Sequence, residues 1–214
     1  MDRLPTLLIV AEPSTQKEDD SPTTGQLSAH QDAAMQLFSN LRCTLQMALE
    51  SGLPVVFIAP KLVAEQARDI LPGNCVVELP QDPTSLDGEP KDDFAMAVAS
   101  GVLACANANG WLILPGHTHM LKAETLQKIA GALACQAIVY PQYKLQQGRP
   151  VAFSAEFFSE LVRMQSERDL SRIMSRYPAM ALDVDDPGIL LAAQIPGHIN
   201  HPQHTRISTS KTSH

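Results

Sequence analysis

The apolar positions open with an unbroken run, Thr6-Leu-Leu-Ile-Val-Ala11, of strand length and without polar alternation. Such a run is covered on both faces, so it predicts a central strand. Residues 12–25 lose all hydrophobic period and consist of turn formers and acids, which predicts a long loop. Ser28 and Gln31 fit a capping box, and behind them Ala34, Leu37, Phe38, Leu41, Leu45 and Leu49 share one face at helical spacing up to Gly52. A strand over 54–59, a helix over 61–71 stopped by Pro72-Gly73, and a short strand over 75–79 follow. A Pro/Asp/Gly loop over 81–93 leads into a helix over 93–106 that is apolar nearly all round, as a deeply buried helix is.

The second half keeps the alternation. It predicts a strand over 111–114, a helix over 122–135 with Leu126, Ile129 and Leu133 as its stripe, and a strand over 137–140 closed by Pro141. After a polar turn at 144–148 come a strand over 150–153, helices over 155–164 and 170–176, and a strand over 181–184. Sustained alternation predicts an α/β fold: a Rossmann-like, doubly wound, mostly parallel sheet in a single domain over residues 1–196. Residues 197–214 carry no apolar stripe and read as a disordered polar tail.

Composition narrows the function classes. The 214 residues are 44% hydrophobic and 18% charged, and 16 Lys+Arg against 23 Asp+Glu leave a net charge of −7. That balance lacks the positive field that binds phosphate backbones, so nucleic acid is not an expected partner. The longest apolar run near the start falls well short of the roughly 20 residues needed to span a bilayer, so no membrane association and a cytoplasmic location are expected. Cys43, Cys75, Cys105 and Cys135 contain no C-x-x-C pair and are expected to be reduced, with Cys105 and Cys135 packed as small hydrophobes in alanine-rich helices.

In an open parallel sheet, ligands bind beyond the carboxyl ends of the strands, here after Ala11, Ala59, Leu114 and Tyr140. Around two of these ends the chain carries Gly110-Trp-Leu-Ile-Leu-Pro-Gly116, a helix through Glu124-Thr-Leu126, and Ile138-Val-Tyr-Pro141. Gly148-Arg-Pro-Val-Ala-Phe-Ser154 and Val184-Asp-Asp-Pro-Gly-Ile-Leu-Leu191 follow. In order and spacing these pieces resemble the molybdenum cofactor cytidylyltransferases and related MobA-like nucleotidyltransferases. The resemblance is strongest from about Lys91 to Pro196 and reaches back as a weaker frame to Leu4. It implies a Rossmann-like fold of the nucleotide-diphospho-sugar transferase type. It also implies transfer of a nucleotide from CTP or GTP to the phosphate of molybdopterin, with Mg²⁺ and release of pyrophosphate.

That chemistry needs backbone N–H groups and a cation around the triphosphate, and carboxylates for the metal. The resemblance places the first group after strand one, at Ala11, Glu12 and Lys17, where the expected Gly-rich loop is replaced by Glu12-Pro13-Ser14-Thr15. Glu12, Glu18, Asp19 and Asp20 would face a triphosphate with like charge, at about 4 kcal/mol per pair 4 Å apart. The metal-binding Asp expected two residues after Pro115 is His117, and the Asp-Ile-Asp-Thr-Pro element expected after Leu191 is Ala192-Ala-Gln-Ile-Pro196. Mg²⁺ prefers hard oxygens to imidazole, so the site reads as degenerate. On the acceptor side, Gly148, Arg149 and Pro150 stand where the resemblance places contacts to the cofactor substrate. Arg149 is either a phosphate partner or a solvated turn arginine.

Further candidates come from the residues alone. His117 and His119 fall on the same side of an extended chain. With Asp185 or Asp186 as a third ligand they form a candidate transition-metal site, against plain loop histidines. Asp183, Asp185 and Asp186 are a candidate cation cluster or simply a turn around Pro187-Gly188. Asp93 is a candidate helix cap or ligand contact. His198, His201 and His204 lie in the polar tail, and Ser14 and Ser154 have no His–acid partner nearby. Two functions remain open. One is nucleotidyl transfer at a metal site rebuilt around His117 and Asp185. The other is non-catalytic binding of a nucleotide, a pterin or a partner in molybdoenzyme maturation.

Overall fold

The computed structural model describes residues 4–11, 39–79 and 91–191. Its strands are β1 (Thr6–Val10), β2 (Val55–Ala59), β3 (Val76–Glu78), β4 (Gly110–Pro115), β5 (Ile138–Tyr143), β6 (Gln146–Gln147), β7 (Val151–Ser154) and β8 (Met180–Asp183). Its α-helices are α1 (39–50), α2 (Lys61–Ala67), α3 (Asp93–Ala104), α4 (Ala123–Leu133), α5 (Phe158–Arg163), α6 (Arg168–Arg176) and α7 (Gly188–Leu191). The Ser28–Gln31 capping box, the loop over 12–25, residues 80–90 and everything beyond Leu191 lie outside the described residues.

The apolar run of β1 works as its lack of alternation implies. Leu7 and Ile9 enter one core with Leu45 of α1, Ala64 of α2, and Leu126 and Ile129 of α4. Leu8 and Val10 enter the other with Ala97 and Val98 of α3, Leu161 of α5 and Leu170 of α6. Successive side chains of a strand point to opposite faces, so one pentapeptide holds both layers of helices. All five of its residues are buried, and each Leu or Ile so placed contributes about 1.5–3 kcal/mol.

The sheet runs β3-β2-β1-β4-β7-β5, with β6 and β7 paired to one side of β5 and β8 to the other. Strands β1, β2, β3 and β4 are mutually parallel, as are β5 and β8. The chain winds outward from β1 to β3, and α3 then carries it back across to β4. Winding therefore reverses between β1 and β4, which is where such a sheet opens its ligand crevice.

Four expectations need correction. β7 is antiparallel to both β4 and β5, interrupting the parallel alternation. A parallel return needs a crossover of a dozen or more residues, and the chain between β5 and β7 instead turns at Lys144-Leu145, whose positive φ values of 50° and 65° make a two-residue hairpin. Pro141 does not close β5. It sits inside the strand opposite Leu182, its carbonyl accepting the Gly148 N–H at 2.9 Å. The cap of α3 is Asp92, whose Oδ1 accepts the Ala95 N–H at 2.7 Å, while Asp93 lies in the first turn. Cys135 is exposed, because α4 has ended two residues before it.

Candidate functional site

At the reversal point the ends of β1 and β4 lie against each other. The Gly116 N–H donates to the Val10 carbonyl at 2.8 Å, and a Cβ on Gly116 would come within 3.2 Å of that oxygen. Ala11, buried and donating to the Ile58 carbonyl, forms the floor on the β1 side. Glu12 and Lys17 lie outside the described residues.

The loop after β4 turns at once rather than continuing extended. Thr118, fully buried, donates its hydroxyl to the Pro115 carbonyl at 2.6 Å, and the His119 N–H donates to the His117 carbonyl at 3.0 Å. His119 Nδ1 also lies 3.0 Å from that carbonyl, so the ring folds back on its own loop. The turn replaces the extended geometry on which a side-by-side pair of imidazoles depends. Among the described residues no group of three or more His, Cys, Asp or Glu side chains is placed to hold a metal ion, so no three of His117, His119, Asp185 and Asp186 form a ligand set.

The acidic segment after β8 splits into residues with different tasks. Asp183 is exposed and accepts from Gln142 Nε2 at 2.7 Å. Asp185 is exposed, with its main-chain carbonyl accepting from Lys122 Nζ at 3.2 Å. Asp186 is 1% exposed and is fully spoken for. Its Oδ2 accepts the Lys122 N–H at 3.0 Å and the Thr125 hydroxyl at 2.6 Å, and its Oδ1 accepts the Gly188 N–H at 3.0 Å. A carboxylate used in this way is removed from metal binding; the turn around Pro187-Gly188 is present, with Asp186 bonding the local Gly188 N–H, and the bonds to Lys122 and Thr125 add a long-range structural role.

The same segment is sewn to its neighbours at two further points. A Cβ on Gly188 would fall 2.2 Å from the Met120 carbonyl oxygen, so the turn packs backbone to backbone on the loop after β4. A Cβ on Gly148 would fall 2.6 Å from Ile189, and the Arg149 N–H donates to the Ile189 carbonyl at 3.0 Å. Gly148, Arg149 and Pro150 are thereby brought beside the end of α7. Arg149 is largely shielded from solvent, and its Nη2 pairs with Glu167 at 2.8 Å. The Glu167 N–H in turn donates to Asp92 Oδ2 at 3.0 Å. Asp92 and Glu167 escaped the sequence reading; the only signal was the acidic pair before the apolar helix α3.

The spacing Asp-x-Asp-x-Pro, expected over 192–196, stands earlier, at Asp183-Val184-Asp185-Asp186-Pro187. It begins at the last residue of β8, and Asp185 supplies an exposed carboxylate at its third position. Mg²⁺ on a triphosphate is usually held by one or two protein carboxylates together with phosphate oxygens. Here Asp185 offers one, His117 stands two residues beyond Pro115, and with no group of three or more ligating side chains among the described residues a Mg²⁺ ion held by the protein alone does not fit.

A doubly wound sheet that reverses at β1/β4, carries an antiparallel β7 between β4 and β5, and places an Asp-x-Asp-x-Pro turn after its last strand defines a nucleotidyltransferase-type α/β protein. The chain belongs to the family of MobA-like NTP transferase domains, whose model matches residues 44–181. None of the curated proteins compared matches it in sequence. Among solved structures it is similar to Rv0371c of Mycobacterium tuberculosis H37Rv in complex with manganese, at 21% identity and a TM-score of 0.59 over 86% of this chain and 89% of that one. It is also similar to the homologue of that protein from Mycobacterium sp. strain JC1, at 16% identity and a TM-score of 0.60 over 85% and 86%. A third similar structure is 4-diphosphocytidyl-2C-methyl-D-erythritol synthase of Anaerococcus prevotii, at 13% identity and 0.59 over 85% and 87%. These likenesses concern the fold. Among the described residues no helix is long and apolar enough to cross a membrane.

Proposed function

We propose that the protein binds a nucleotide, CTP or GTP, or a molybdopterin-like ligand at the carboxyl edge of its sheet, and that its Mg²⁺-dependent nucleotidyl transfer is degenerate. The observation that carries this reading is the loop after β4. His117 stands two residues beyond Pro115, where the family has a carboxylate, and the loop around it is closed by hydrogen bonds to its own carbonyls. Family membership supports the nucleotide; the replaced residue supports the loss of transfer. Such a protein would serve as a binding module, holding a nucleotide or pterin for a partner in molybdoenzyme maturation. Calorimetric titration of the full chain with CTP, GTP and a soluble pterin tests the binding half. Saturable heat with one of them is the expected result, and no heat with any of them contradicts it.

A second reading is transfer supported by a transition metal at His117 and Asp185. It is favoured by the identity of His117, since imidazole suits Mn²⁺ or Zn²⁺ better than Mg²⁺, and by the manganese bound in the similar mycobacterial structure. Pyrophosphate release seen with Mn²⁺ but not Mg²⁺, and lost in His117→Ala, would establish this reading in place of the first.

A further inference from the structure

Asp185 and Asp186 are adjacent acids with opposite fates: one is exposed at the sheet edge and the other is buried at 1% exposure. Acids are almost never this buried unless paired, and no cation among the described residues pairs with Asp186. Its compensation is three hydrogen-bond donors and the positive end of α4. The residue preceding that helix, Lys122, has no side-chain cap of its own, so the first turn carries N–H groups that need an acceptor from elsewhere. Asp186 accepts the N–H of Lys122 itself and the hydroxyl of Thr125 in the first turn, from 64 and 61 residues further along the chain. The Gly188 N–H closes on the other carboxylate oxygen, and Gly188 lies flat on Met120 because it has no Cβ.

We propose that Asp186 is a positioning residue of the nucleotide site. By capping α4 from the loop after β8, it fixes that loop against the loop after β4 and so sets where Asp185 stands relative to His117. The inference rests on the nucleotide-binding reading above. It assigns Asp186 no contact with ligand. Asp185 beside it is exposed, and the Lys122 ammonium, held on the Asp185 carbonyl, completes the join.

The test uses full-length wild type, Thr125→Ser, Thr125→Val and Asp186→Asn. Each is titrated with CTP and GTP in the presence of MnCl₂, and amide exchange at Lys122 and Gly188 is followed without ligand. Thr125→Ser keeps the hydroxyl and is expected to retain wild-type affinity and protection. Thr125→Val is expected to bind about tenfold more weakly while remaining folded, with both amides losing protection together. Asp186→Asn, which presents an amide N–H to one donor, is expected to do the same. Wild-type affinity in Thr125→Val and Asp186→Asn, despite faster exchange, overturns the proposal and leaves Asp186 a cap without bearing on the site. If wild type binds no nucleotide, the nucleotide reading falls on its own. The positioning proposal is then overturned with it, and exchange reads only the join between the two loops, as joint loss of protection in Thr125→Val with rescue in Thr125→Ser.

Discussion

The Arg149 guanidinium donates to Glu167 at 2.8 Å, with the two side chains only 14% and 20% exposed. Because the Glu167 N–H is itself held by Asp92, this pair ties the entry to β7, the link between α5 and α6, and the start of α3 into one corner of the carboxyl edge. A shielded, charge-assisted pair is stronger than a solvated one. A double-mutant cycle of Arg149→Gln and Glu167→Gln, read by urea denaturation, is expected to show a coupling of about 1–2 kcal/mol. A coupling near zero, as for an exposed surface pair, would contradict the shielded geometry.

Two glycines should respond oppositely to alanine. Gly188→Ala places a methyl 2.2 Å from the Met120 carbonyl oxygen, a backbone atom that cannot swing away, and is expected to cost about 1–3 kcal/mol. Gly131→Ala lies inside α4 with nothing within 4 Å and is expected to stabilise by about 0.5–1 kcal/mol. Thermal unfolding of both variants checks the contrast. Equal effects would mean that the turn after β8 does not pack on the loop after β4 as described.

Much of the architecture was legible from local pattern. β1, α3 and α4 carry their burial in their own residues: an unbroken apolar pentapeptide, a helix apolar nearly all round, and a Leu126/Ile129/Leu133 stripe. What pattern could not supply was direction, because nothing in Pro150-Val-Ala-Phe153 tells a parallel strand from an antiparallel one. That is set by the hairpin at Lys144-Leu145, whose positive φ values fall on residues other than glycine. The site was less legible. Asp185 and Asp186 look alike in sequence, and only the distant N-terminus of α4 decides which of them turns inward. A shared side for His117 and His119 requires an extended chain, and the bond from the buried Thr118 hydroxyl to the Pro115 carbonyl belongs to a turn instead.

Acid sensitivity has a local source at the start of α6. Burial pushes the Asp169 carboxyl upward, but the N–H groups of Gln165 and Ser166 and the Arg172 guanidinium outweigh it and hold the group below its usual value. The folded state therefore binds this proton more weakly than the unfolded chain does. Its stabilisation is present above the ordinary carboxylate value of about 3.9 and is lost as pH falls through the lower folded value. Urea midpoints measured from neutral pH downward are expected to fall more steeply in wild type than in Asp169→Asn once the pH drops below about 4. Parallel curves would show that Asp169 is not held in this way.

Thiol reactivity should divide the cysteines by environment. Burial pushes the Cys105 thiol up, against smaller opposing contributions from Trp111 and Thr6, and its Sγ donates to the Gly101 carbonyl at 3.0 Å. Cys43 and Cys135 are exposed. Since the thiolate is the nucleophile, iodoacetamide near neutral pH is expected to modify Cys43 and Cys135 about tenfold faster than Cys105. Peptide mapping over time reads this directly, and early labelling of Cys105 would contradict its assigned environment.

Pyrophosphate release by the full chain with molybdopterin, Mg²⁺ and CTP or GTP decides whether the proposed loss of transfer chemistry is real. Release no faster than in the protein-free control is expected, under conditions where calorimetry shows the nucleotide bound. Sustained, protein-dependent release of pyrophosphate with Mg²⁺ alone would contradict it and would make His117 a tolerated replacement in a working enzyme.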